Sequence, residues 1–254
     1  MDVRRAIPGA AEDDARLLDE RAARMLEIFA HERFNSPRTV GRLRLLMVSW
    51  VIRTKLRWGL KRGLDIVVAS LALVLAAPLM ALTALAIKLD SPGPALFRQV
   101  RVGYRGRTFG CLKFRSMYVD AERRRLELVS LNEADGPIFK MKNDPRVTRV
   151  GRVIRKLSID ELPQLLNVLR GEMSLVGPRP ALPQEVAEYD VDQLGRLEVT
   201  PGITGLQQIS GRSDLSFKRW VELDLQYIAE QSLWRDVEIL LRTIPAVLLG
   251  KGAY

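Results

Sequence analysis

Two adjacent acidic residues, Asp160 and Glu161, are the strongest candidates for chemistry in this sequence. Asp160 is predicted to lie in the first turn of a helix, where backbone N–H groups and the helix dipole favour an anion and keep the carboxylate ionised. Such a carboxylate can act as a nucleophile, and a phosphoryl group bonded to it rests at the helix N-terminus. Two adjacent acids also suit Mg2+. The structural alternative is a helix capping box, because Ser158 and Glu161 have the required spacing.

Cations that suit phosphate oxygens occur at three further places. Arg179 lies between Pro178 and Pro180, which restrict the backbone around one guanidinium group. Lys113 and Arg115 end a predicted strand. A run of arginines at steps of three comprises Arg146, Arg149, Arg152 and Arg155. The alternatives for these three places are a surface turn, ordinary strand-end charges and a solvated helix face.

The composition excludes several classes of site. The chain has one cysteine, Cys111, and one histidine, His31, so a disulfide framework, a histidine-based zinc site and a Ser-His-Asp triad are not expected. The net charge of +10 indicates an anionic partner: nucleic acid, a phosphorylated small molecule or an anionic membrane surface. The charged N-terminus has no signal peptide, so we expect most of the chain to face the cytosol.

A long apolar segment predicts membrane attachment. No charged residue occurs from Ile66 to Ile87, which is about the length needed to cross a hydrocarbon core. Pro78 near its middle predicts a break in the helix. Basic residues flank both ends, and positive charge marks the cytoplasmic side, so we expect the segment to enter the membrane and return as a helix-break-helix. The alternatives are a simple crossing and a buried core helix.

The predicted fold class is α+β: a mostly helical cytosolic domain with a small β hairpin, anchored by the re-entrant segment and by interfacial amphipathic helices. The hairpin is predicted over 95–102 and 108–114. Residues 39–62 have the composition of an interface-lying helix, and 13–34 that of an amphipathic helix that either packs on the protein or forms a dimer seam. The predicted domains are 1–58, accessory helices, and 59–254, the core, with the re-entrant segment at 64–89.

The sequence resembles the bacterial sugar transferases, the monotopic phosphoglycosyl transferases that start polysaccharide and glycan assembly. The resemblance covers about Leu60 to Tyr254. It depends on ordered blocks: Lys61-Arg62-Gly63-Leu64-Asp65, Leu89-Asp90-Ser91-Pro92-Gly93-Pro94, Lys113-Phe114-Arg115-Ser116-Met117, Asp160-Glu161-Leu162-Pro163-Gln164-Leu165, Ser174-Leu175-Val176-Gly177-Pro178-Arg179-Pro180, Pro201-Gly202-Ile203-Thr204-Gly205 and Ser210-Gly211-Arg212. One position departs from the family pattern, because Ala77 stands where a serine precedes the proline of the helix break.

The resemblance implies a ping-pong reaction. Asp160 would attack the β-phosphate of a UDP-sugar, UMP would leave, and undecaprenyl phosphate would attack the resulting phospho-aspartyl intermediate. Glu161, with Asp160, would hold Mg2+. Lys113 and Arg179 match basic residues of the family and would contact the diphosphate or the nucleotide. Three further arginines are predicted to bind substrate: Arg115, Arg155 and Arg212. An alternative mechanism is direct attack by the acceptor with no covalent enzyme intermediate.

The C-terminal part of the chain, around Gly205 to Asp214 and Ser232 to Trp234, resembles the exopolysaccharide branch, which implies a hexose such as glucose or galactose. The expected location is the cytoplasmic face of the bacterial inner membrane. The expected partners are a UDP-sugar, a polyprenyl phosphate and membrane lipid, with a homodimer left open and no nucleic acid. The alternative function is a membrane-tethered, non-catalytic binder of anionic lipid or nucleic acid.

Overall fold

The computed structural model describes residues 37–133, 136–139, 141, 143–211 and 215–249. The chain divides into two units, Met1–Leu60 and Lys61–Tyr254. The amphipathic helix predicted at 13–34, with its dimer seam, and Arg212 lie outside the described residues, so those expectations stay predictions. The predicted domain boundary stays a prediction as well.

The first described helix, α1, runs from Pro37 to Asp90 and includes Pro78. The helix assignment continues on both sides of Pro78, so the interruption predicted there is not seen, whereas a kink at Pro78 stays a prediction. Proline removes the hydrogen bond from its own N–H to the carbonyl of Val74 and its ring crowds that carbonyl, which favours a kink in a helix that is otherwise continuous. The re-entrant path through the membrane is a separate prediction.

Among the described residues, α1 contains one stretch that is long and apolar enough to cross a membrane, and only 11% of that stretch is buried. Its large apolar side chains, such as Val74 and Leu75, are 72% exposed. A core helix of a soluble domain would bury such residues, so the alternative of a buried core helix is wrong.

Both ends of the apolar stretch of α1 contact the same unit. At the start, Lys61 Nζ binds the Asp236 carboxylate at 2.6 Å, and Asp65 Oδ1 accepts a hydrogen bond from the Leu175 N–H at 3.1 Å. At the end, Asp90 Oδ2 accepts a hydrogen bond from the Val150 N–H at 3.0 Å. Each of these contacts joins α1 to other residues of the unit Lys61–Tyr254, so both ends of the apolar stretch are bound to the same unit.

The predicted hairpin is confirmed. β1, Leu96–Val102, pairs antiparallel with β2, Thr108–Phe114. A short 3-10 turn, Tyr104–Gly106, joins them. Arg105 and Gly106 adopt left-handed φ values of 54° and 75° there, which tighten the turn.

Three helices follow the hairpin. They are α2, Ala121–Leu128, α3, Arg149–Lys156, and α4, Gln164–Arg170. A 3-10 turn, Ile159–Glu161, lies between α3 and α4. Gly171 ends α4 with φ 81°, a conformation that favours glycine. The acidic pair is thus carried by a short turn between two helices.

A second, two-stranded sheet was not predicted. β3, Ser174–Val176, pairs parallel with β4, Gly202–Thr204. Gly177 and Gly202 approach so closely that a Cβ on Gly202 would overlap the backbone nitrogen of Gly177. The connection between the strands carries α5, Pro183–Ala187, and α6, Val191–Leu194. After β4 come α7, Leu206–Ser210, α8, Phe217–Glu230, and α9, Leu233–Leu249.

The main core lies between α1, α4, β3, α8 and α9. Val168, Tyr227 and Ile239 are almost fully buried in it, and Ala69 of α1 is buried with them. A second cluster joins Ile87 near the end of α1 to Phe114 of β2 and Ile154 of α3. These two clusters set the positions of the strand and turn residues that form the site below.

Candidate active site

Asp160 lies in the 3-10 turn Ile159–Glu161, where it is buried. The turn follows Ser158, which has a left-handed φ of 55° and makes no side-chain cap hydrogen bond. The capping-box alternative is therefore wrong. The prediction that Asp160 lies in the first turn of an α-helix is also wrong, because α4 begins at Gln164. The helix dipole consequently contributes less than expected, and the local environment of Asp160 must come from neighbouring side chains.

Packing on both sides holds the turn in place. Ile159 packs against the cluster that contains Ile87, Phe114 and Ile154. On the other side, Pro163 is fully buried at the start of α4. Ser158, with its left-handed φ of 55°, separates the end of α3 from the turn that carries Asp160 and Glu161.

Lys113, which lies in strand β2 of the hairpin, contacts the acidic pair. Its Nζ lies 2.7 Å from Glu161 Oε1, with both side chains partly exposed. The sequence separates these two residues widely, so the hairpin and the 3-10 turn must pack together to bring them into contact. Lys113 thus lies beside the acidic pair, and its predicted contact with substrate stays a prediction.

An open cleft with an empty volume of about 330 Å³ lies beside this pair. Lys113, Glu161 and Arg179 line it, together with Arg101, Cys111, Gln164, Pro180, Gly202, Ile203 and Gln208. Arg179 is exposed, and its guanidinium lies 5.6 Å above the Trp220 ring. A cation–aromatic contact of this kind orients the guanidinium without consuming its hydrogen-bond donors. Lys113 and Arg179 therefore both face the space beside Glu161.

Burial raises the pKa of Asp160 to about 6, and the neighbouring charge of Glu161 acts in the same direction. Lys113 and Arg155 oppose this rise, which places both cations within electrostatic reach of the Asp160 carboxylate. Burial also lowers the pKa of Arg155, and Asp160 is the largest influence that restores it. Above pH 6 the Asp160 carboxylate is therefore ionised and poorly hydrated, and it lies near two cations. A carboxylate in this state can act as a nucleophile.

Arg115 occupies a different position from the other predicted site residues. Its buried guanidinium donates hydrogen bonds to the backbone carbonyls of Pro92 and Ser91, the latter at 2.7 Å. A longer bond of 3.4 Å reaches the carbonyl of Ile87 near the end of α1. Arg115 thereby stabilises the end of α1 and the following loop, and it is not among the cleft-lining residues. Its predicted contact with substrate has no geometric support here.

Arg101 of β1 is a cleft residue that the sequence reasoning missed. Its guanidinium donates to the Pro180 carbonyl at 3.0 Å and to Gln99 Oε1 at 2.6 Å. Burial lowers the pKa of Arg101 to about 10, and the neighbouring Arg179 adds to this effect. Since Pro180 follows Arg179 directly, Arg101 fixes the turn that presents Arg179. The only sequence signal was its place in a predicted strand that carries two arginines, Arg98 and Arg101.

Asp160 and Glu161 are the candidate ligands for Mg2+. No group of three or more acidic, cysteine or histidine side chains is close enough to hold a metal ion among the residues that the structure describes. Mg2+, however, often takes one or two carboxylates together with substrate phosphates and water. Glu161 lines the cleft and is adjacent to Asp160, so the residues present fit such a substrate-assisted site. Lys113 would have to share Glu161 with the metal ion.

The sequence matches the model of a known protein family. The model described as "Bacterial sugar transferase" matches residues 56–250. The chain belongs to the bacterial sugar transferase family. The family predicted from the sequence blocks is confirmed, and so is the prediction of an enzyme. The alternative of a non-catalytic binding protein is correspondingly disfavoured.

Three relatives illustrate the similarity. The chain is 50% identical over 194 residues to the galactosyl transferase CpsE of Streptococcus agalactiae, covering 76% of this chain and 43% of that protein. It is 46% identical over 198 residues to the exopolysaccharide production protein ExoY of Rhizobium meliloti, covering 76% and 88%. It is 46% identical over 204 residues to the UDP-glucose:undecaprenyl-phosphate glucose-1-phosphate transferase of Caulobacter vibrioides, covering 76% and 72%.

Proposed function

We propose that this protein transfers a hexose-1-phosphate from a UDP-sugar to undecaprenyl phosphate, releases UMP, and so starts the assembly of an exopolysaccharide or related glycan. The observation that carries the proposal is the buried Asp160, next to Glu161 and within electrostatic reach of Lys113 and Arg155, in a chain of the bacterial sugar transferase family. The names of the relatives support glucose or galactose as the transferred sugar.

In the proposed first step, an Asp160 carboxylate oxygen attacks the β-phosphorus of the UDP-sugar. The bond from that phosphorus to the bridging oxygen breaks, and its electron pair leaves with UMP. A sugar-phospho-aspartyl intermediate remains. The burial that raises the pKa of Asp160 also removes water from the nucleophile, which favours attack over hydration once the group is ionised.

In the proposed second step, a phosphate oxygen of undecaprenyl phosphate attacks the same phosphorus, and the Asp160 carboxylate leaves unchanged. No proton transfer is required if the acceptor phosphate is ionised. Lys113 and Arg179, which line the cleft, would neutralise charge on the diphosphate oxygens. In the first step, Mg2+ held by Glu161 and Asp160 would neutralise charge on the departing UMP.

We further propose that α1 enters the membrane from the cytoplasmic face and returns to it. The contacts of Lys61 and Asp65 precede the apolar stretch, whereas that of Asp90 follows it, and all three reach one charged unit. A charged domain cannot lie on both sides of a bilayer, so these contacts favour a re-entrant path over a crossing. Thiol labelling of cysteines introduced at Arg57 and Lys88 tests this: access from opposite sides would overturn it.

UMP release tests the proposed reaction. Purified wild-type protein in detergent, with Mg2+ and undecaprenyl phosphate, is incubated in turn with UDP-glucose, UDP-galactose and a UDP-N-acetyl sugar. We expect release with a hexose donor and none with Asp160→Asn. Asp192→Asn, an exposed acid on α6, is the matched control and should retain wild-type rates. Release by Asp160→Asn at the wild-type rate would remove Asp160 from the mechanism.

Isotope exchange separates the two mechanisms. A ping-pong enzyme exchanges labelled UMP into UDP-sugar without the lipid acceptor, because the first step is reversible by itself. We expect this exchange with the hexose donor identified above, and we expect Asp160→Asn to lack it. Turnover with acceptor but no exchange without it would favour direct attack by undecaprenyl phosphate.

A further inference from the structure

The backbone on either side of Arg179 is held by a neighbouring strand. Before Arg179, the Pro178 carbonyl accepts a hydrogen bond from the Gly202 N–H of β4 at 2.8 Å. After it, the Ala181 carbonyl accepts a hydrogen bond from the Val102 N–H of β1 at 2.8 Å. Pro178 is buried, whereas Arg179 is exposed. The fold therefore fixes the point at which the Arg179 side chain leaves the backbone.

The side chain of Arg179 has an aromatic partner. Its guanidinium lies 5.6 Å above the ring of Trp220, a residue of α8 that is only 7% exposed. In the part of the chain that the structure describes, no acidic side chain lies at ion-pair distance from Arg179. Within about 6 Å, the face of an aromatic ring attracts a cation, and tryptophan does so most strongly. The Trp220 ring is thus placed to orient the guanidinium.

The Trp220 ring is itself fixed by its surroundings. It packs in a buried cluster with three apolar side chains, Ile138, Phe217 and Val221. The guanidinium of Arg196 lies 5.8 Å over the same ring and is held by the Asp224 carboxylate at 2.7 Å. The alternative role for Trp220 is that of a core residue of this cluster and no more.

The two cations that line the cleft are held in different ways. Lys113 lies 2.7 Å from Glu161, so an acid offsets the charge of the lysine before any ligand binds. Arg179 is held by a ring without net charge, so its positive charge and its N–H donors stay available. An acidic partner in place of Trp220 would compete with phosphate oxygens for the same guanidinium. An aromatic partner orients Arg179 without that competition.

We propose that Trp220 is a positioning residue for the donor substrate, because it holds the Arg179 guanidinium in the orientation that binds the diphosphate of the UDP-sugar. This inference rests on the proposed function, which makes a diphosphate the ligand of the cleft. Trp220 acts through Arg179 and itself makes no contact with substrate. A side chain oriented in advance loses less rotamer freedom on binding, so loss of the ring should weaken binding although the charge remains.

Binding of UDP tests the role of Trp220 without requiring turnover. Full-length protein in detergent with Mg2+ is titrated with UDP by isothermal titration calorimetry. We expect Trp220→Leu to raise the Kd for UDP about 5–20-fold, and Trp220→Phe to raise it less than about threefold, since phenylalanine keeps an aromatic face. The matched control is Phe217→Leu, which truncates another buried ring of the same cluster and should leave the Kd within about twofold of wild type.

A double-mutant cycle separates positioning from a role in the fold. In an Arg179→Gln background, Trp220→Leu has no guanidinium to orient, so it should change the Kd for UDP by less than about twofold. An equal loss in both backgrounds would overturn the proposal and leave Trp220 as a core residue. A wild-type protein that binds no UDP would overturn the proposed function as well, so the two failures are distinguishable.

Fluorinated tryptophan gives a second test that leaves the buried ring in place. Fluorine weakens the negative face of the ring, which attracts the cation, with little change in shape. Incorporation replaces all four tryptophans, and the other three are exposed: Trp50, Trp58 and Trp234. The Kd for UDP should rise with the number of fluorine atoms in wild-type protein, and stay constant in Arg179→Gln. A Kd that is independent of fluorine in wild-type protein would overturn the proposal.

Discussion

The cleft beside Asp160 and the buried charge pairs of the domain use the same residue types in opposite ways. In the buried pairs, Arg196 contacts Asp224 at 2.7 Å, and Lys61 contacts Asp236 at 2.6 Å, with little exposure of any of the four side chains. In the cleft, the ion pair of Lys113 and Glu161 is partly exposed. The paired clusters stabilise the fold, whereas the cleft leaves charged groups accessible to a ligand.

The comparison teaches that a shifted pKa does not identify the nucleophile. Burial raises the pKa of both Asp160 and Asp224 to about 6. Asp224 nevertheless has Arg196 at ion-pair distance, and Arg196 is held in turn by the Tyr189 hydroxyl at 2.6 Å. Within the described residues, no cation lies at that distance from Asp160. The position of Asp160 next to Glu161, which lines the cleft, and the absence of a cation at ion-pair distance within the described residues, rather than the pKa, distinguish the candidate nucleophile.

The largest expected effect separates the two aspartates by activity. Asp160→Asn should lower the rate of UMP release by about 10³-fold or more, because it removes the attacking oxygen while keeping the shape of the side chain. The folded state should persist, as measured by circular dichroism and gel filtration in detergent. Residual activity within tenfold of wild type would place Asp160 with the structural acids.

The complementary change tests the structural pair. Asp224→Ala should lower the free energy of unfolding by about 3–5 kcal/mol, because it leaves the Arg196 charge buried without its partner. Chemical denaturation measures this loss. The matched control is Asp192→Ala on the exposed α6, which should change stability by less than about 0.5 kcal/mol. A stable, inactive Asp224→Ala protein would contradict the division into structural and reactive acids.

The next prediction compares two exposed arginines, Arg179 beside the cleft and Arg170 at the end of α4. Arg179→Lys should lower kcat/KM for the UDP-sugar by about 10–100-fold, since lysine keeps the charge but loses the planar group that contacts two phosphate oxygens. Melting temperature should change little, because Arg179 is exposed. Arg170→Lys at the exposed end of α4 is the control. An unchanged kcat/KM with a lower melting temperature would assign Arg179 to the fold.

The last prediction concerns the pH dependence of stability. The folded-state pKa of Asp160 is raised above its ordinary value of 3.8, so the folded protein binds more protons between about pH 4 and 6. The contribution of Asp160 to the free energy of unfolding of the wild type therefore falls as pH rises through that window. Asp160→Asn should gain up to about 3 kcal/mol over wild type above pH 6 and nothing below pH 4. A pH-independent difference would contradict the burial of the ionised group.

Part of the site was predictable because its signals are local. The paired acids, the restricted backbone around Arg179 and the alternating hairpin are short-range patterns, and the hairpin was predicted to within one residue of β1. The ordered blocks identified the family. The uncharged stretch from Ile66 to Ile87 likewise predicted membrane attachment, because length and apolarity alone decide whether a helix suits a bilayer.

The tertiary structure alone decided which charged groups meet. Arg101 lies in β1 and Arg115 directly follows β2, yet Arg101 binds the Pro180 carbonyl beside the cleft, whereas Arg115 binds the Ser91 carbonyl just after α1. It also placed Asp160 in a 3-10 turn, since packing of Ile159 and Pro163 overrides the local preference for a capped helix. The amino-acid sequence by itself determined the family, the acidic pair and the apolar helix. Long-range packing decided the rest, because a charged side chain takes the partner that burial brings within reach.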